Sequence, residues 1–350
     1  MSYKLSFTCM KVTLLCISLL FFQPLFSQYD FSGVDQLLTK NQKMLGNNVV
    51  ALVWKDGKII YQKELGEFNA KTQAPIASAS KWLTAALVMT FVDQGKLNLD
   101  DPISKYIPIF DKYMKSYLTI RHCLSQTTGI ERDSRLVAKL TERKKFESLE
   151  EEVNAIAAKE INNNPGKEFF YGGYGLNIAA RVCEIIGKKS FDRLIQERIT
   201  RPLKMKGTNF TNESGGAINP SGGAQSTAND YMNFMVMLLN KGMFEGKKIL
   251  SEESIAEMQK DQVGTIPIKY APQVAAGYSY GLGEWILEKD NTGKGIVIAC
   301  PGLFGTWPYI DKCRNYAAII FVKSILGEQK KELAMQFKGE VEAVVGECKQ

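Results

Sequence analysis

Ile76-Ala77-Ser78-Ala79-Ser80-Lys81-Trp82-Leu83 sets a serine and a lysine three residues apart at the mouth of an apolar run. Trp82, Leu83, Ala85, Ala86, Val88, Met89 and Val92 follow at helical spacing and Gly95 ends the pattern, which predicts a helix with Ser78 just before it or in its first turn. A residue and its i+3 neighbour share a helix face, so the Ser78 hydroxyl and the Lys81 ammonium can meet beside unpaired backbone N–H groups. That is the geometry needed by a serine nucleophile whose proton a lysine takes.

The rest of the composition narrows the chemistry. At 350 residues, length alone suggests two domains or one large α/β domain. Lys4 and Lys11 precede an apolar run from Val12 to Phe22, and Leu25-Phe26-Ser27 leads into Gln28, so residues 1–27 read as a secretory signal and the mature protein as secreted or periplasmic. Met10 is an alternative start. The run is short for a spanning helix, and Leu15 before Cys16 is too large for a lipoprotein cleavage site, so no stable membrane span is expected after cleavage; a retained N-terminal anchor is the alternative. Removing the leader takes two lysines from the 44 cations and no acid from the 37, leaving 42 against 37, a net +5. Lysine pairs such as Lys144-Lys145, Lys188-Lys189, Lys247-Lys248 and Lys330-Lys331 are scattered rather than striped, which reads as solvated surface and not as a nucleic-acid face.

The mature chain keeps Cys123, Cys183, Cys300, Cys313 and Cys348, none at metal-ligand spacing and odd in number, so no disulfide framework is implied; Cys300 and Cys313 are the pair close in sequence. A single histidine is present. A Ser-His-Asp hydrolase would have to use His122, and a zinc hydrolase would lack imidazole ligands. His122 lies in Leu118-Thr119-Ile120-Arg121-His122-Cys123-Leu124-Ser125, a short capped helix in which a structural histidine is the plain reading.

Along the chain, Phe31 to Leu45 predicts a helix, and Val49 to Trp54 with Ile59 to Leu65 predict strands joined at Asp56-Gly57, a strong hairpin signal. After Gly95 the chain turns into the short Ile103 to Ile107 segment, and from there to about residue 270 the signals are helical: Leu136–Leu140, Leu149–Glu160, Tyr174–Ile186, Phe191–Ile199, Asn229–Leu239 and Glu252–Gln259. Thr227 with Asp230 resembles a capping box for a helix whose methionines belong to the core. Around residue 278 the periodicity changes to strands, Tyr278–Leu287, Gly295–Ala299, Thr306–Ile310 and Tyr316–Lys323, and Glu328–Val345 closes the chain as a helix. The expected fold is therefore α/β of the α+β type: one antiparallel sheet from both chain ends (28–77 and 275–345), flanked by terminal helices, with a mainly helical insertion (78–274).

Two further stretches can complete a site around Ser78 and Lys81. Pro165-Gly166-Lys167-Glu168-Phe169-Phe170-Tyr171-Gly172-Gly173-Tyr174 is a turn, an extended apolar piece and a glycine loop that can present the Tyr171 ring; a core tyrosine before an ordinary helix is the plain alternative. Cys300-Pro301-Gly302-Leu303-Phe304-Gly305-Thr306 joins two strands, where glycines permit close approach of a ligand to the backbone; a tight hairpin is the alternative.

In this order the motifs make the chain similar to the serine β-lactamase-related family, which includes class C β-lactamases, D-alanyl-D-alanine carboxypeptidases and β-lactamase-like esterases. Its pattern is S-x-x-K, Y-x-N, then K-T-G or H-x-G: Ser78-Ala79-Ser80-Lys81 matches fully, Tyr171-Gly172-Gly173 at the tyrosine, and Cys300-Pro301-Gly302 at the glycine. The stretches Leu99-Asp100-Asp101-Pro102, Thr119 to Ser125, Gly222-Gly223-Ala224-Gln225-Ser226-Thr227 and Gly277-Tyr278-Ser279-Tyr280-Gly281-Leu282-Gly283 are similar too. The resemblance implies that Ser78 is acylated with Lys81 against it, that Tyr171 shares the base role and passes a proton to the leaving group, and that the Ser78 and Leu303 N–H groups bind the oxyanion. It implies no metal or organic cofactor, and a small-molecule ester, amide or β-lactam as partner; the oligomeric state stays open. Gly173 stands where an asparagine would hold Lys81 or a substrate amide, and Cys300 where a cation would attract a substrate carboxylate, a contact worth about 1.5–3 kcal/mol. β-Lactams and D-Ala-D-Ala peptides carry that carboxylate and simple esters do not, so an esterase-like acyl hydrolase is expected. A β-lactamase, a carboxypeptidase or a non-turnover penicillin-binding sensor is the alternative, and Arg314 is a cation that folding could bring in.

Overall fold

β1 (Val49–Lys55) and β2 (Lys58–Leu65) form the hairpin expected of Asp56-Gly57. Both turn residues sit at positive φ, 48° and 88°, the backbone that a two-residue turn of the right twist requires. In the computed structural model, residues 29–131, 146–211, 215–324 and 331–348 are described, together with Met1. The leader read at 1–27, Met10, the helix expected at Leu136–Leu140 and Glu328 lie outside the described residues.

The other sheet partner of β1 comes from the far end of the chain. β3 (Ser279–Tyr280), β4 (Trp285–Lys289), β5 (Gly295–Ala299), β6 (Trp307–Asp311) and β7 (Tyr316–Val322) complete a seven-stranded sheet in the order β2-β1-β7-β6-β5-β4-β3. Pairing is antiparallel throughout, with Val49 opposite Val322 and Lys55 opposite Tyr316. Successive side chains alternate faces. Val49, Ala51 and Val53 meet Val34 and Leu38 of the Ser32–Lys40 helix and Phe337 and Val341 of the Lys331–Val345 helix; Val50 and Leu52 face the helical part with Ile298, Ile319 and Phe321. Cover on both faces is why β1 and β7 are apolar almost without alternation.

On the second face lies the Ala228–Leu239 helix, and among the helices behind it is the Ser80–Asp93 helix, buried along all but its last two residues. A helix apolar on every side has no solvent face to offer and becomes the centre of a core. Trp82 stacks edge-on against Phe234, their centroids 5.7 Å apart, and Met232, Met235 and Met237 of the Ala228–Leu239 helix are core residues. Thr227 caps that helix by accepting from the Asp230 N–H at 3.1 Å, but the Asp230 carboxylate serves Gly207 N–H (2.7 Å) and Thr208 Oγ1 (2.9 Å) instead of closing a box.

Three expectations change. The first helix stops at Lys40 and turns carry the chain on to Leu45. The strand expected over Tyr278–Leu287 is broken between Tyr280 and Trp285, where Gly283 sits at φ +81° with no room for a Cβ beside Ala85 and the Lys81 carbonyl. Finally, Cys313 is bonded to Cys348, with Cα atoms 5.1 Å apart, and Cys300 is a free, buried thiol. Antiparallel pairing explains this: Cys300 N–H bonds the Pro308 carbonyl at one end of β6, whereas Cys313 follows Asp311 at the other. No helix among the described residues is long and apolar enough to cross a membrane.

The bond pins the end of the closing helix to the β6–β7 turn. Cys348→Ser should therefore destabilise by about 2–4 kcal/mol, read as a lower urea midpoint that dithiothreitol reproduces in the unsubstituted protein.

Candidate active site

Ala77–Ala79 makes one turn of 3-10 helix into the Ser80–Asp93 helix, and Ala77 sits at φ +45°. A residue with a Cβ is strained there, by about 1–3 kcal/mol, and stays only where its surroundings over-determine it. They do so here. Ser80 Oγ donates to the Ala77 carbonyl at 2.6 Å and accepts from Ala224 N–H at 3.0 Å, Ile76 N–H bonds the Ala224 carbonyl at 3.0 Å, and Tyr231 Oη donates to the Ala79 carbonyl at 2.7 Å. The turn holds Ser78 half-exposed while Lys81 is 4% exposed. Lys81 Nζ donates to Ser78 Oγ at 3.1 Å and to the Ser221 carbonyl at 2.8 Å, and lies 4.8 Å from the centroid of the Tyr171 ring.

Tyr171 reaches this point because the segment before it is clamped. Phe170 N–H bonds the Gln126 carbonyl (3.0 Å), Tyr171 N–H the Tyr270 carbonyl (3.0 Å) and Gly172 N–H Gln126 Oε1 (3.0 Å). Its ring packs on Trp285 (5.1 Å) and Tyr280 (6.0 Å), in an apolar cluster with Phe169, Val263 and Ala275. Burial pushes its phenol above the ordinary tyrosine value, while the Ser78 hydroxyl and the Trp285 indole facing its oxygen pull it down. Gly173 carries no group towards the lysine and serves as the residue before the Tyr174–Gly187 helix.

The β5–β6 turn closes the other side. Gly302 lies on the segment leading into Ser78, where a Cβ would collide with the Ile76 carbonyl oxygen. Leu303, 42% exposed, carries a backbone N–H with no hydrogen bond among the described residues. Cys300 does not face outward: Sγ donates to the Ser78 carbonyl (3.3 Å) and approaches that of Gly283 (3.6 Å). Burial pushes its thiol up to about 12, although Lys81 opposes the shift. Arg314 is held by Asp311 (2.8 Å) and Glu342 (3.0 Å) beyond the opposite end of β6, so it brings no cation to the Cys300 position.

Ser78, Lys81, Tyr171, Cys300 and Gly302 thus meet at one turn, with Leu303 next to Gly302 and Gly173 two residues beyond Tyr171 in the chain, and three groups that were not singled out add to it. Ser221 contributes only a carbonyl, which no residue type signals, although it directly precedes the Gly222-Gly223 stretch. Gln126 and Trp285 lie beside quoted stretches; Gln126 at φ +64° is a backbone feature with no local sequence mark. His122 is a capping residue, exchanging hydrogen bonds with Thr119 at 3.2 and 3.3 Å. Among the described residues no group of His, Cys, Asp and Glu is arranged to hold a metal ion.

Comparison with known proteins adds relatives to this geometry. The beta-lactamase family profile matches residues 34–335. A crystal structure from Bacteroides dorei DSM 17855, assigned provisionally as a beta-lactamase, has a TM-score of 0.80 at 29% identity, covering 91% of this chain and 100% of that one. EstCE1, a hydrolase with promiscuous acyltransferase activity, has a TM-score of 0.72 over 88% of this chain and 97% of its own, at 18% identity, a likeness of fold alone. Protein flp of Staphylococcus aureus (strain MW2) is 28% identical over 170 residues, 45% of this chain and 34% of its own length; the chain spans about a third of the length of such curated relatives.

Behind the turn, Glu284 is fully buried and neither carboxylate oxygen closes a hydrogen bond among the described residues. Burial raises its pKa to about 8 from 4.5, against Lys312 and the Trp82 indole, which pull it down. The folded state therefore holds this proton more tightly than the unfolded chain does, and the associated stability is complete below pH 4.5 and lost as pH rises through 8. Glu284→Gln should flatten that loss, gaining on the order of 2–4 kcal/mol relative to the unsubstituted protein between pH 5 and pH 8.5, as urea titrations at the two values would show. Gly302→Ala, whose Cβ would meet the Ile76 carbonyl oxygen, should displace the turn and lower the melting temperature by a few degrees, measured by calorimetry.

Proposed function

The chain belongs to the beta-lactamase family, whose fold neighbours are hydrolases, and from that premise we propose a secreted serine acyl hydrolase that works through a Ser78 acyl-enzyme and prefers simple esters. The carrying observation is Lys81 Nζ at 3.1 Å from the half-exposed Ser78 Oγ. In this reading Ser78 Oγ attacks the ester carbonyl and its proton passes to the Lys81 amine. The oxyanion meets the N–H groups of Ser78 and Leu303, preorganised donors of the kind that stabilise tetrahedral intermediates. Burial keeps the Tyr171 phenol protonated, which suits it to hand a proton to the departing alkoxide and regain one from Lys81. Water then attacks the acyl-enzyme by the same route and frees Ser78.

Ester preference follows from Cys300. Its thiol is spent on backbone carbonyls and Arg314 is held elsewhere, so neither supplies the cation that a substrate carboxylate would seek. The incomplete second and third motifs, Gly173 and Cys300, favour a second reading, a penicillin-binding sensor that acylates without turnover. Export is supported by the Cys313–Cys348 bond, since such bonds persist in oxidising compartments; the mature protein should begin at Gln28 by intact mass.

The unsubstituted protein should hydrolyse p-nitrophenyl acetate, Ser78→Ala should abolish the reaction, and Ser80→Ala, which loosens the turn, should keep part of it. Undiminished turnover by Ser78→Ala would overturn the proposal; stoichiometric penicillin labelling of Ser78 with no ester turnover would favour the sensor.

A further inference from the structure

Gly173 leaves unexplained what orients the lysine. Its backbone, φ −111° and ψ −21°, is open to any residue, so nothing in the chain path requires the side chain to be missing. A buried amide returns one helical turn later. Asn177, 1% exposed, lies in the first turn of the Tyr174–Gly187 helix, with its N–H bonded to the Gly173 carbonyl at 3.1 Å. Its Oδ1 accepts from Ser221 N–H at 3.1 Å and its Nδ2 donates to Glu152 Oε1 at 2.9 Å. These partners settle which end of the amide is which, because a backbone N–H only donates and a carboxylate only accepts. The peptide so gripped is Pro220–Ser221, and the carbonyl on the far side of the Ser221 Cα, in the next peptide, is the one that accepts from Lys81 Nζ at 2.8 Å.

The other bonds around that peptide act in the same sense. Ser221 Oγ donates to Asn219 Oδ1 at 2.9 Å, and Thr84 of the nucleophile-bearing helix donates to the Pro220 carbonyl at 2.7 Å. Ser221 and Glu152 are buried, 4% and 3% exposed. A buried amide is costly unless its donor and acceptor are both met, and here meeting them holds the N–H side of Ser221, the residue whose carbonyl faces the lysine.

We propose that Asn177 is the positioning residue of Lys81: by holding the N–H of Ser221 it sets the backbone of the residue whose carbonyl meets Nζ, and performs the duty that an asparagine at 173 would perform directly. The role rests on the proposed acyl-enzyme reading, in which Lys81 takes the Ser78 proton. Because the Ser221 carbonyl accepts from the ammonium form, loosening it favours the neutral amine.

The test follows p-nitrophenyl acetate hydrolysis against pH, with rates normalised to sites titrated by a fluorophosphonate. Asn177→Leu, similar in volume but without polar ends, should lower kcat about 10- to 100-fold, leave KM within about 3-fold, and move the ascending limb of the profile to lower pH. Gly173→Asn added to Asn177→Leu should recover part of the lost kcat. If Asn177→Leu does not fold, Asn177→Asp, which keeps the acceptor for Ser221 N–H and sets two carboxylates face to face, should show a smaller loss of kcat and, because the added negative charge favours the ammonium, a limb moved to higher pH. An unchanged kcat per titrated site and an unmoved limb in the folded variant, with Ser78→Ala inactive, would overturn the positioning role alone. Turnover surviving Ser78→Ala would overturn the acyl-enzyme reading and this role together.

Discussion

A lysine ammonium removed from water must be surrounded by acceptors, and Lys81 is nearly closed off from solvent. Its partners come from distant parts of the chain: Ser78 from its own turn, the Ser221 carbonyl from a loop 140 residues on, and the face of Tyr171 from the segment clamped by Gln126. Each must arrive in register for burial of the amine to be tolerated. The requirement ties the helical part to the sheet, since the turn containing Lys81 also meets Gly283 before β4 and Gly302 between β5 and β6.

The Ser80–Asp93 helix meets that requirement by being the core itself. Surrounded by other helices, it has little freedom to shift, and the strained Ala77 turn at its start is held by bonds from Ser80, Ala224 and Tyr231. Rigid support of a half-exposed hydroxyl is what a preorganised site needs. The two ends of the chain supply the remaining wall: the sheet closes only when β1 pairs with β7, so the Leu303 turn is placed by the last third of the chain relative to a serine in the first third.

Charge around the turn is arranged unlike the family pattern in the sequence. A neutral thiol fills the third-motif position and turns inward, while the nearest buried carboxyl, Glu284, is pushed towards its neutral form. Beside the turn the Tyr171 ring packs on Trp285, which in turn packs on Tyr280, so this side is built of aromatic rings.

Much of this was legible in the linear chain. The all-apolar spacing after Lys81 marks a buried helix, Asp56-Gly57 marks a hairpin, and the switch to strand periodicity near residue 278 marks a sheet shared by both ends, because side-chain period and turn chemistry are local properties. Ser78, Lys81, Tyr171 and the Gly302-Leu303 turn were likewise visible as residue types in the right order. The tertiary structure decided what local pattern cannot carry. Cys313 bonds Cys348, where the spacing of the cysteines implied no disulfide framework, and Cys300 stays apart because it lies at the opposite end of β6. The strand before Trp285 breaks where Gly283 approaches the Ser80–Asp93 helix. Ser221 holds Lys81 by a carbonyl, a group every residue possesses, so only three-dimensional placement distinguishes it. Sequence determined which chemical groups were present and which faces they shared; packing determined which of them meet, because a buried amine accepts whichever partners the fold delivers.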